Sequence, residues 1–487
     1  MAKKKLLLIS IPRLNAKPQA GLRYLKDFLF QIVDVEIYDA NLDLHKELIH
    51  TDHWPAIEKW GIAQQRKKDT PIELWKIIQA RFDHWTMQIK SHHPDYIGIS
   101  VFTHESRNWA QWLCYNIRTQ LPDVPILLGG KGLCDPGLGQ AVFGQYCKTF
   151  DLCDHYFNGE SENEMMKYFQ EMHCIIDNFD HPVINNNIDF EKFSTHDNSE
   201  YFIENNWYSD HDRDGHENSI QSTDIDYYTT FSTRGCVKKC TFCDVHLVRP
   251  KFSMRSAQNL FEELKYAIDR GHRYVCFSDD MINGSNKQFM SWMESLALYL
   301  ESKQINGFTW SGQMGIKSKR SIPAEMFELM RRTGARPTIG VDHFSDSVLD
   351  HMGKHYNRDD IFDFFEKGKK NDVVYGLLMF VIAYPTEQTK DFETLVENLV
   401  KMVPYSHQVG LWDFGTTCNI VKGSVLESLP GMVLQKNQTS WDWPGNRDLD
   451  TEQKRYRRQK IEKLAAELGF NVRRQRTQKI RLDAWTK

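Results

Sequence analysis

Short apolar runs alternate with stretches of helical spacing over residues 1–174. The segment 21–30 shows this spacing, because Leu22, Leu25 and Leu29 recur on one stripe of a helix. Strands that alternate with helices form a parallel sheet covered on both faces, so the pattern predicts an N-terminal doubly wound α/β domain. The predicted strands lie at 5–10, 33–38, 95–101, 124–128 and 154–157, and the Trp-rich stretch 43–90 predicts two or three further helices.

The same alternation resumes at residue 226 and continues to residue 425. Ser256 is a candidate N-cap of one helix that ends before Gly271, and Pro323 is a candidate first residue of another. The predicted strands lie at 227–232, 273–278, 307–311, 337–341, 374–382 and 408–416. Six such units predict a partial (β/α)6 barrel over 226–425. Ligands of barrels of this kind bind at the carboxyl ends of the strands.

Two segments depart from this alternation. Residues 175–225 show little periodicity and 191–226 holds ten acids against two bases, which predicts an acidic linker. Residues 426–487 form a basic C-terminal extension with a predicted helix at 452–468, and 451–487 holds twelve Lys or Arg against four acids. Charge blocks of this kind are typical of solvated faces. Nucleic-acid binding through the basic tail is the alternative.

Composition excludes several classes of protein. The chain has 487 residues, of which 41% are hydrophobic and 26% charged, and a formal net charge of −4. This ordinary globular balance argues against a disordered or collagen-like chain and identifies no partner class. No window approaches the ~18–20 apolar residues of a membrane span. The start, 1–10, has a basic n-region and a short apolar run without a close cleavage site. We interpret it as a first buried strand and expect a cytoplasmic protein.

Three of the ten cysteines are clustered directly after the first predicted barrel strand. Cys236, Cys240 and Cys243 have the spacing C-x3-C-x2-C. Without a secretory signal, reduced thiols or metal ligands are favoured over disulfides. A four-iron cube normally takes four thiolates, so three would leave one iron open for another ligand. Neighbouring basic residues, among them Arg234 and Lys238, favour thiolate over thiol.

Two other interpretations of the three cysteines stay open at this point. The first is zinc, because His246 follows Cys243 and would complete a Cys3His set. Zinc ligands usually form two separated pairs, whereas these four would lie within eleven residues. The second is three unconnected core cysteines, which the clustering beside basic residues disfavours.

The cysteine spacing, with Phe242 before the third cysteine, resembles the motif of the radical S-adenosylmethionine (SAM) superfamily. The resemblance implies a [4Fe–4S] cluster on Cys236, Cys240 and Cys243, with SAM bound to the open iron. It also implies that the reduced cluster cleaves SAM to a 5′-deoxyadenosyl radical, which removes hydrogen from a substrate. The cofactors then carry the hard chemistry and the protein orients them.

Residues at the predicted strand ends agree with this resemblance. Asp279 and Asp280 follow the second barrel strand, where family members place polar groups near the SAM amino group. Their alternative role is to cap the next helix. Gln313 follows the third strand. Asp342 follows the fourth, where one large branch of the family has Glu, and this difference leaves its cofactor role open.

Two neighbouring positions match the same branch less closely. His343 stands where that branch has Ser, and it serves either substrate chemistry or structure, the latter being favoured. Thr386 lies in a helix-entry element, where it would be an N-cap.

The N-terminal domain resembles the cobalamin-binding domain fused to this branch. The matching segments are 94–101, Gly129-Gly130 and 159–162. Ser100, Thr103, Gly129 and Gly130 are the candidate pocket residues, since small side chains would let a corrin approach the strand ends. The alternative is that the glycines only form a tight turn. The loop 11–20 lacks the cobalt-ligating His of many such domains, and Asp43-Leu44-His45 follows the second strand instead. The domain therefore either binds cobalamin without a His ligand or has lost the cofactor.

These observations together predict a radical SAM enzyme, and specifically a cobalamin-dependent methyltransferase acting on an unactivated carbon. The alternative within enzymes is a cobalamin-independent cyclase, rearrangement enzyme or methylthiotransferase. Methylthiotransferases usually carry three further cluster cysteines, and Cys114, Cys134, Cys147 and Cys153 do not match that arrangement. The alternative from another class is a zinc-organised nucleic-acid-binding protein. The resemblance implies a flavodoxin or ferredoxin as electron donor, and the sequence does not reveal the substrate.

Overall fold

The structure is a computed structural model, and it divides into two compact units. It describes residues 3–12, 20–29, 32–62, 69–103, 106–134, 142–159, 161–173, 227–249, 251–415, 418, 420, 423–429 and 449–473. The predicted acidic linker, 175–225, lies outside the described residues, as does the last part of the basic extension. None of the helices in the described ranges combines the length and the apolarity that crossing a bilayer requires.

The N-terminal unit is a five-stranded parallel sheet in the order β2-β1-β3-β4-β5, flanked by helices. Its elements are β1 (Lys5–Ser10), α1 (Ala20–Leu29), β2 (Asp34–Asp39), α2 (Ala40–Leu48), α3 (Trp54–Ile62), α4 (Ile72–Ser91), β3 (Tyr96–Ser100), α5 (Arg107–Gln120), β4 (Ile126–Gly129), α6 (Val142–Thr149), β5 (His155–Tyr156) and α7 (Glu162–His173). The strand order reverses between β1 and β3, and doubly wound sheets bind ligands at such a point. The predicted doubly wound sheet is confirmed.

Both faces of this sheet are covered, as the unbroken apolar run of β1 indicates. Leu7 and Ile9 belong to the apolar cluster on one face, and Leu6 and Leu8 to the cluster on the other. This division follows from the two-residue period of a strand.

The Trp-rich insertion forms α2, α3 and α4, which extend the apolar core on one face of the sheet. Trp60 and Trp85 are fully buried, and the Trp60 ring lies 4.7 Å from that of Trp109. The indole N–H of Trp60 donates to the Thr70 hydroxyl at 3.1 Å, and that of Trp85 donates to the Asp43 carboxylate at 2.6 Å. Because the buried indoles are satisfied in this way, the insertion is an integral part of the core.

The C-terminal unit is built from parallel strands that alternate with helices. Its elements are β6 (Tyr227–Thr230), β7 (Thr233–Arg234), α8 (Val245–Val248), β8 (Ser253–Met254), α9 (Ala257–Asp269), β9 (Tyr274–Phe277), α10 (Asn286–Ser302), β10 (Thr309–Ser311), β11 (Gln313–Gly315), α11 (Glu325–Arg332), β12 (Thr338–Asp342), α12 (Asp346–Met352), α13 (Arg358–Lys370), β13 (Tyr375–Phe380), α14 (Thr389–Lys401), β14 (Val409–Asp413) and α15 (Thr451–Glu467). All of the strands are parallel to their neighbours except the short hairpin β7–β8.

The third predicted barrel strand, 307–311, is present as β10, and Gly312 separates it from a further short strand, β11. Strand β10 pairs with β9, whereas β11 pairs with β12. A Cβ at Gly312 would lie only 3.0 Å from the Cβ of Phe277 on β9, so the backbone there lies close to its neighbour. The strands then follow in sequence from β6 to β14, and the predicted partial barrel is confirmed.

Helix starts were predicted with mixed success. Ser256 caps α9, since its hydroxyl accepts a hydrogen bond from the Asn259 N–H at 3.2 Å. The prediction that Thr386 caps α14 is wrong, because α14 begins at Thr389 and its N-cap is Gln388, in a capping box with Asp391. Helix α11 begins at Glu325, two residues after Pro323.

The described part of the C-terminal extension packs as part of the barrel unit. The predicted helix is present as α15, and Lys454, Arg457 and Arg458 on it are buried. The segment after α15 joins the sheet beside β14, since the Trp412 N–H donates to the Asn471 carbonyl at 2.8 Å. The Phe470 ring stacks on the Trp412 ring at 4.2 Å. The buried Lys454, Arg457 and Arg458 on α15 are therefore part of the packed interior of this unit.

Candidate metal centre

The three clustered cysteines lie in the loop between the hairpin strand β7 and the helix α8. All three are free thiols, with Cys240 buried and the other two half-buried. Burial raises the pKa of Cys236 and raises that of Cys243 to about 11, and the nearby Cys240 acts in the same direction on both. Three thiols are thus gathered at the carboxyl edge of the barrel strands, where a positively charged metal group would stabilise their thiolates.

The hairpin β7–β8 determines where this loop begins. Gly235 has a φ of 78°, and a Cβ there would lie 2.7 Å from the carbonyl oxygen of Lys251. Only glycine fits such a position without strain, so the loop leaves β7 close to the opposite strand of the hairpin.

Asp279 braces the chain between β6 and β7. Its carboxylate accepts hydrogen bonds from the Ser232 N–H at 2.9 Å, from the Thr233 hydroxyl at 2.7 Å and from the Thr233 N–H. Burial raises its pKa to about 6, and these hydrogen bonds act in the opposite direction. Because the carboxylate is occupied by the protein's own donors, we interpret Asp279 as a positioning residue. Helix α10 has Ser285 as its N-cap, so Asp279 does not cap it either.

Asp280 fastens the first residues of the cysteine loop. Its Oδ2 accepts a hydrogen bond from the Gly235 N–H at 3.1 Å and from the Arg249 guanidinium at 2.8 Å. Asp279 therefore positions the residues at the start of β7, and Asp280 positions the residue that follows its end.

The middle of the loop is clamped through Thr241. Its N–H donates to the Met352 carbonyl at the end of α12 at 3.1 Å, and its hydroxyl lies 2.7 Å from the Tyr384 hydroxyl. Its carbonyl accepts from the Leu426 N–H at 3.1 Å. No local pattern indicates this clamp, because its members lie far apart in the sequence.

Two lysines lie at the cysteine loop, the buried Lys354 from outside the loop and the half-buried Lys238 within it. The Lys354 ammonium forms an ion pair with Asp342 at 2.6 Å, lies 4.8 Å from the centre of the Phe242 ring and interacts with Cys240. Lys238 donates to the Ile316 carbonyl at 2.6 Å, and burial lowers its pKa to about 8. The sequence indicated Lys238, but it gave no signal for Lys354, which follows the glycine that ends α12.

Asp342 is held inside the protein. It has a φ of 64°, the His343 N–H bonds back to the Val341 carbonyl at 2.8 Å, and the pairing of β12 with β13 is irregular there. Besides Lys354, the Tyr356 hydroxyl donates to its Oδ2 at 2.8 Å. A buried carboxylate with these partners favours a structural link to Lys354 over a direct cofactor contact.

The remaining residues from the barrel differ in exposure. Gln313 is exposed at the start of β11, and its carbonyl accepts a hydrogen bond from the Ile282 N–H at 2.8 Å. His343 is fully buried, and its Nδ1 accepts from the Ser345 N–H at 2.9 Å. This geometry favours the structural role for His343.

The zinc and cluster interpretations share the same three cysteines. In the described part of the chain no three or more His, Cys, Asp or Glu side chains are arranged around a single metal ion, and this includes Cys236, Cys240 and Cys243. A four-iron cube takes each thiolate on a different iron, so it does not require the three sulfurs around one point as a single zinc ion does. The fourth ligand of the zinc interpretation would be His246, whose Nδ1 is buried and makes no hydrogen bond with the described residues.

The candidate cobalamin residues lie at the carboxyl edge of the N-terminal sheet. Gly130 has a φ of 105°, and a Cβ there would lie 2.5 Å from the Val101 carbonyl oxygen, so backbone packing alone requires this glycine. Gly129 differs, because the nearest atom to its Cβ would be the Ser161 hydroxyl at 3.7 Å. Ser100 ends β3, and the Thr103 hydroxyl lies 3.3 Å from that of Ser106. Gly129 thus fits close approach by a ligand, and Gly130 fits the tight-turn alternative.

His45 belongs to the core of the N-terminal unit. Its Nδ1 lies 2.7 Å from the Asn41 carbonyl, and its ring lies 4.8 Å from the Trp54 ring. The Asp43-Leu44-His45 segment is therefore a helix turn of α2 that packs inward.

Three cysteines that are separate in the sequence approach one another in the N-terminal unit. Cys114, Cys147 and Cys153 are buried and interact electrostatically. Burial raises the pKa of Cys147 and of Cys153 to about 12. Cys134 lies apart, with its thiol 3.0 Å from the Asn158 side-chain oxygen. The three buried thiols favour a packing role.

A partial barrel whose first loop gathers three thiols at the carboxyl edge is typical of enzyme domains built around an iron–sulfur cluster. Residues 230–399 match the family model of the Radical SAM superfamily. The resemblance drawn from the cysteine spacing is confirmed, and this part of the chain is a radical SAM domain. The match implies a [4Fe–4S] cluster and SAM as its cofactors, and three thiols with two nearby ammonium groups are a donor set that fits such a cluster.

Curated relatives and solved structures extend the comparison. The ribosomal protein uS12 methylthiotransferase RimO of Hydrogenobaculum sp. (strain Y04AAS1) is 25% identical over 194 residues, which are 37% of this chain and 47% of the relative. The chain thus spans less than half the length of the curated relatives it matches first.

Two solved structures share the fold over most of the chain. The radical SAM methyltransferase TsrM from Kitasatospora setae has a TM-score of 0.57 at 13% identity, covering 87% of this chain and 75% of that one. OxsB, a cobalamin-dependent radical SAM enzyme solved with aqua-cobalamin and SAM, has a TM-score of 0.63 at 12% identity, covering 96% of this chain and 67% of that one. At these identities the likeness shows the fold alone.

Proposed function

We propose that the protein is a radical SAM enzyme that transfers a methyl group from cobalamin to an unactivated carbon. The observation that carries the radical part is the loop of Cys236, Cys240 and Cys243, gathered at the carboxyl edge of a barrel that matches the family. Cys236, Cys240 and Cys243 would hold the cluster, which would supply the electron for reductive cleavage of SAM and so the radical chemistry for removing a hydrogen atom from a substrate.

The chain's own residues position the cysteine loop and stabilise the negative charge of its thiolates. Asp279, Asp280 and Thr241 fix the loop at its entry, its first turn and its middle. Ligation would convert three thiols to thiolates, one of them buried and two half-buried, and burial opposes that change. The Lys354 ammonium and the Lys238 N–H, which lies 3.4 Å from the Cys236 sulfur, supply the compensation.

The cobalamin part rests on the N-terminal unit. Its 2-1-3-4-5 strand order is typical of sheets that bind a ligand at the carboxyl edge, and a Cβ at Gly129 would meet only the Ser161 hydroxyl, at 3.7 Å. TsrM and OxsB, whose folds are similar, have been solved with cobalamin bound. We infer that cobalamin binds here without a His ligand. The loop 11–20 contains no histidine, and His45, which follows the second strand, is part of the core.

A methylthiotransferase is the second candidate, and the similarity to RimO favours it. That reaction in the related family uses a second cluster held by three more cysteines. The candidates here, Cys114, Cys147 and Cys153, are buried members of the apolar core of the N-terminal unit, which favours packing over ligation. The proposal therefore keeps methylthiolation as the alternative. A flavodoxin or ferredoxin is the proposed electron donor for either reaction.

Anaerobic reconstitution of the full chain with iron and sulfide tests the radical part. We expect about four irons per chain and the electron paramagnetic resonance signal of a reduced cubane, followed by 5′-deoxyadenosine formation from SAM. Cys240→Ala is expected to abolish both, whereas Cys276→Ala, which removes a thiol from strand β9 of the same unit, is expected to keep both. A colourless protein with one bound zinc would support the zinc-organised alternative and overturn the proposal.

Cobalamin is tested separately by absorbance spectroscopy. After incubation with excess hydroxocobalamin and gel filtration, the protein should retain about one corrin per chain. Loss of all corrin from a well-folded, cluster-loaded protein would remove the methyltransferase part and leave the radical part standing.

A further inference from the structure

Lys354 lies in a turn that packs directly on the cysteine loop. The turn follows α12, whose end is marked by Gly353 with a φ of 71°. A Cβ at Gly353 would lie 3.5 Å from the Lys239 carbonyl oxygen, and the preceding Met352 carbonyl accepts the Thr241 N–H. The position of Lys354 is therefore fixed by backbone contacts with the loop itself.

The side chain of Lys354 is buried but charged. It is 8% exposed, and a buried ammonium is stable only when it is paired. Its partners surround it: the Asp342 carboxylate at 2.6 Å, the face of the Phe242 ring at 4.8 Å and the Cys240 sulfur.

Asp342 holds the lysine in a geometry that is costly for the backbone. A non-glycine residue at a φ of 64° is uncommon, and such strain persists where the surroundings over-determine it. The Tyr356 hydroxyl donates to the same carboxylate oxygen, Oδ2, that pairs with Lys354. This hydrogen bond helps to hold the carboxylate in the orientation in which it contacts the lysine.

We propose that Lys354 is a positioning residue of the metal centre, which stabilises negative charge on the Cys240 ligand and thereby raises the reduction potential of the cluster. A cation close to a cluster sulfur favours the reduced state, because that state carries one more negative charge. The inference rests on the proposed function, since Cys240 has to be a cluster ligand. It assigns Asp342 the role of holding Lys354.

The test is a redox titration of the reconstituted full chain, monitored by electron paramagnetic resonance. Lys354→Met should keep its iron and shift the midpoint potential to more negative values by at least about 59 mV, which corresponds to a tenfold change in a one-electron equilibrium. Lys354→Arg, which keeps the positive charge, should have a midpoint potential close to that of the wild type. Lys367→Met, which removes a lysine paired with Asp363 on α13, should leave the potential unchanged.

The outcomes separate this inference from the proposed function. An iron-loaded Lys354→Met protein with the wild-type potential overturns the role of Lys354 and leaves the radical function intact. Wild-type protein without any cluster overturns both. If Lys354→Met does not fold, Lys354→Gln replaces it, because the amide keeps a hydrogen-bond donor beside Asp342 and removes only the positive charge. That variant should also shift the potential to more negative values, and an unchanged or more positive potential contradicts the inference.

Discussion

Arg457 donates a hydrogen bond of 2.7 Å to the Glu387 carboxylate, and both side chains are buried. This pair joins α15 of the C-terminal extension to the segment that precedes α14 in the barrel. Part of the basic C-terminal extension therefore packs in the interior of the C-terminal unit.

We expect Arg457→Ala to destabilise the C-terminal unit by about 3–5 kcal/mol, because it removes the guanidinium partner of the buried Glu387 carboxylate. Within the described ranges that carboxylate then keeps only the Tyr384 N–H at 3.2 Å and the His343 ring at 3.6 Å. The control is Arg455→Ala, at an exposed position on the same helix, which should change stability by less than about 0.5 kcal/mol. Denaturant unfolding followed by tryptophan fluorescence measures both. Equal stabilities for the two variants would show that the buried pair does not attach α15 to the barrel.

Asp391 gives a pH-dependent contribution to stability. Although burial opposes it, hydrogen bonds from the Ser345 and Ser347 hydroxyls and the Gln388 N–H lower the pKa of Asp391 below its ordinary value. A carboxylate with a lowered pKa in the folded state stabilises the fold above its unfolded pKa of about 3.9 and loses this effect as pH falls through the folded value.

Asp391→Ala should therefore cost about 1–2 kcal/mol at pH 7, the usual range for loss of a helix cap with its side-chain partners. The difference from wild type should shrink as the pH falls below 4. Unfolding free energies measured from pH 7 down to the acid limit of the fold check this. A difference that stays constant with pH would rule out the ionised carboxylate as the source.

The sequence was sufficient for the strands and for the cysteine loop, because both depend on local patterns. The buried run Leu6–Ile9 has the composition of a central parallel strand, and the C-x3-C-x2-C spacing lies within one loop. Strand β11 was not predicted, since it has only three residues and local periodicity does not indicate that it pairs with β12 while β10 pairs with β9.

The carboxylates at the strand ends show why the rest of the site could not be predicted. The sequence placed Asp279 and Asp342 correctly at the carboxyl edge, but the direction of a side chain there depends on donors from other elements. Asp279 meets Ser232 and Thr233, and Asp342 meets Lys354, which no motif links to it.

Substitution by alanine should destabilise the protein at Gly130 and leave its stability unchanged at Gly129. Gly130→Ala places a Cβ 2.5 Å from the Val101 carbonyl oxygen at a positive φ, and we expect a loss of at least about 2 kcal/mol of stability. Gly129→Ala meets nothing closer than 3.7 Å and should leave stability within about 0.5 kcal/mol of wild type.

The same pair tests the corrin site. If cobalamin approaches the strand end at Gly129, Gly129→Ala should weaken corrin binding about tenfold, or about 1.4 kcal/mol, without changing the melting temperature. Titration of the variant with hydroxocobalamin measures the affinity. Wild-type affinity in this variant would place any corrin away from Gly129.

The buried thiols of the N-terminal unit distinguish the two candidate reactions. If Cys114, Cys147 and Cys153 only fill space, Cys147→Ala should leave the iron content at about four per chain and reduce stability by about 1 kcal/mol through the lost packing. If they hold a second cluster, wild type should contain about eight irons and Cys147→Ala about half of them. Iron analysis after anaerobic reconstitution decides between these outcomes, with Cys134→Ala as the control because its thiol lies apart from the other three. About eight irons in wild type would make methylthiolation the favoured function, since one cluster is enough for the radical step alone.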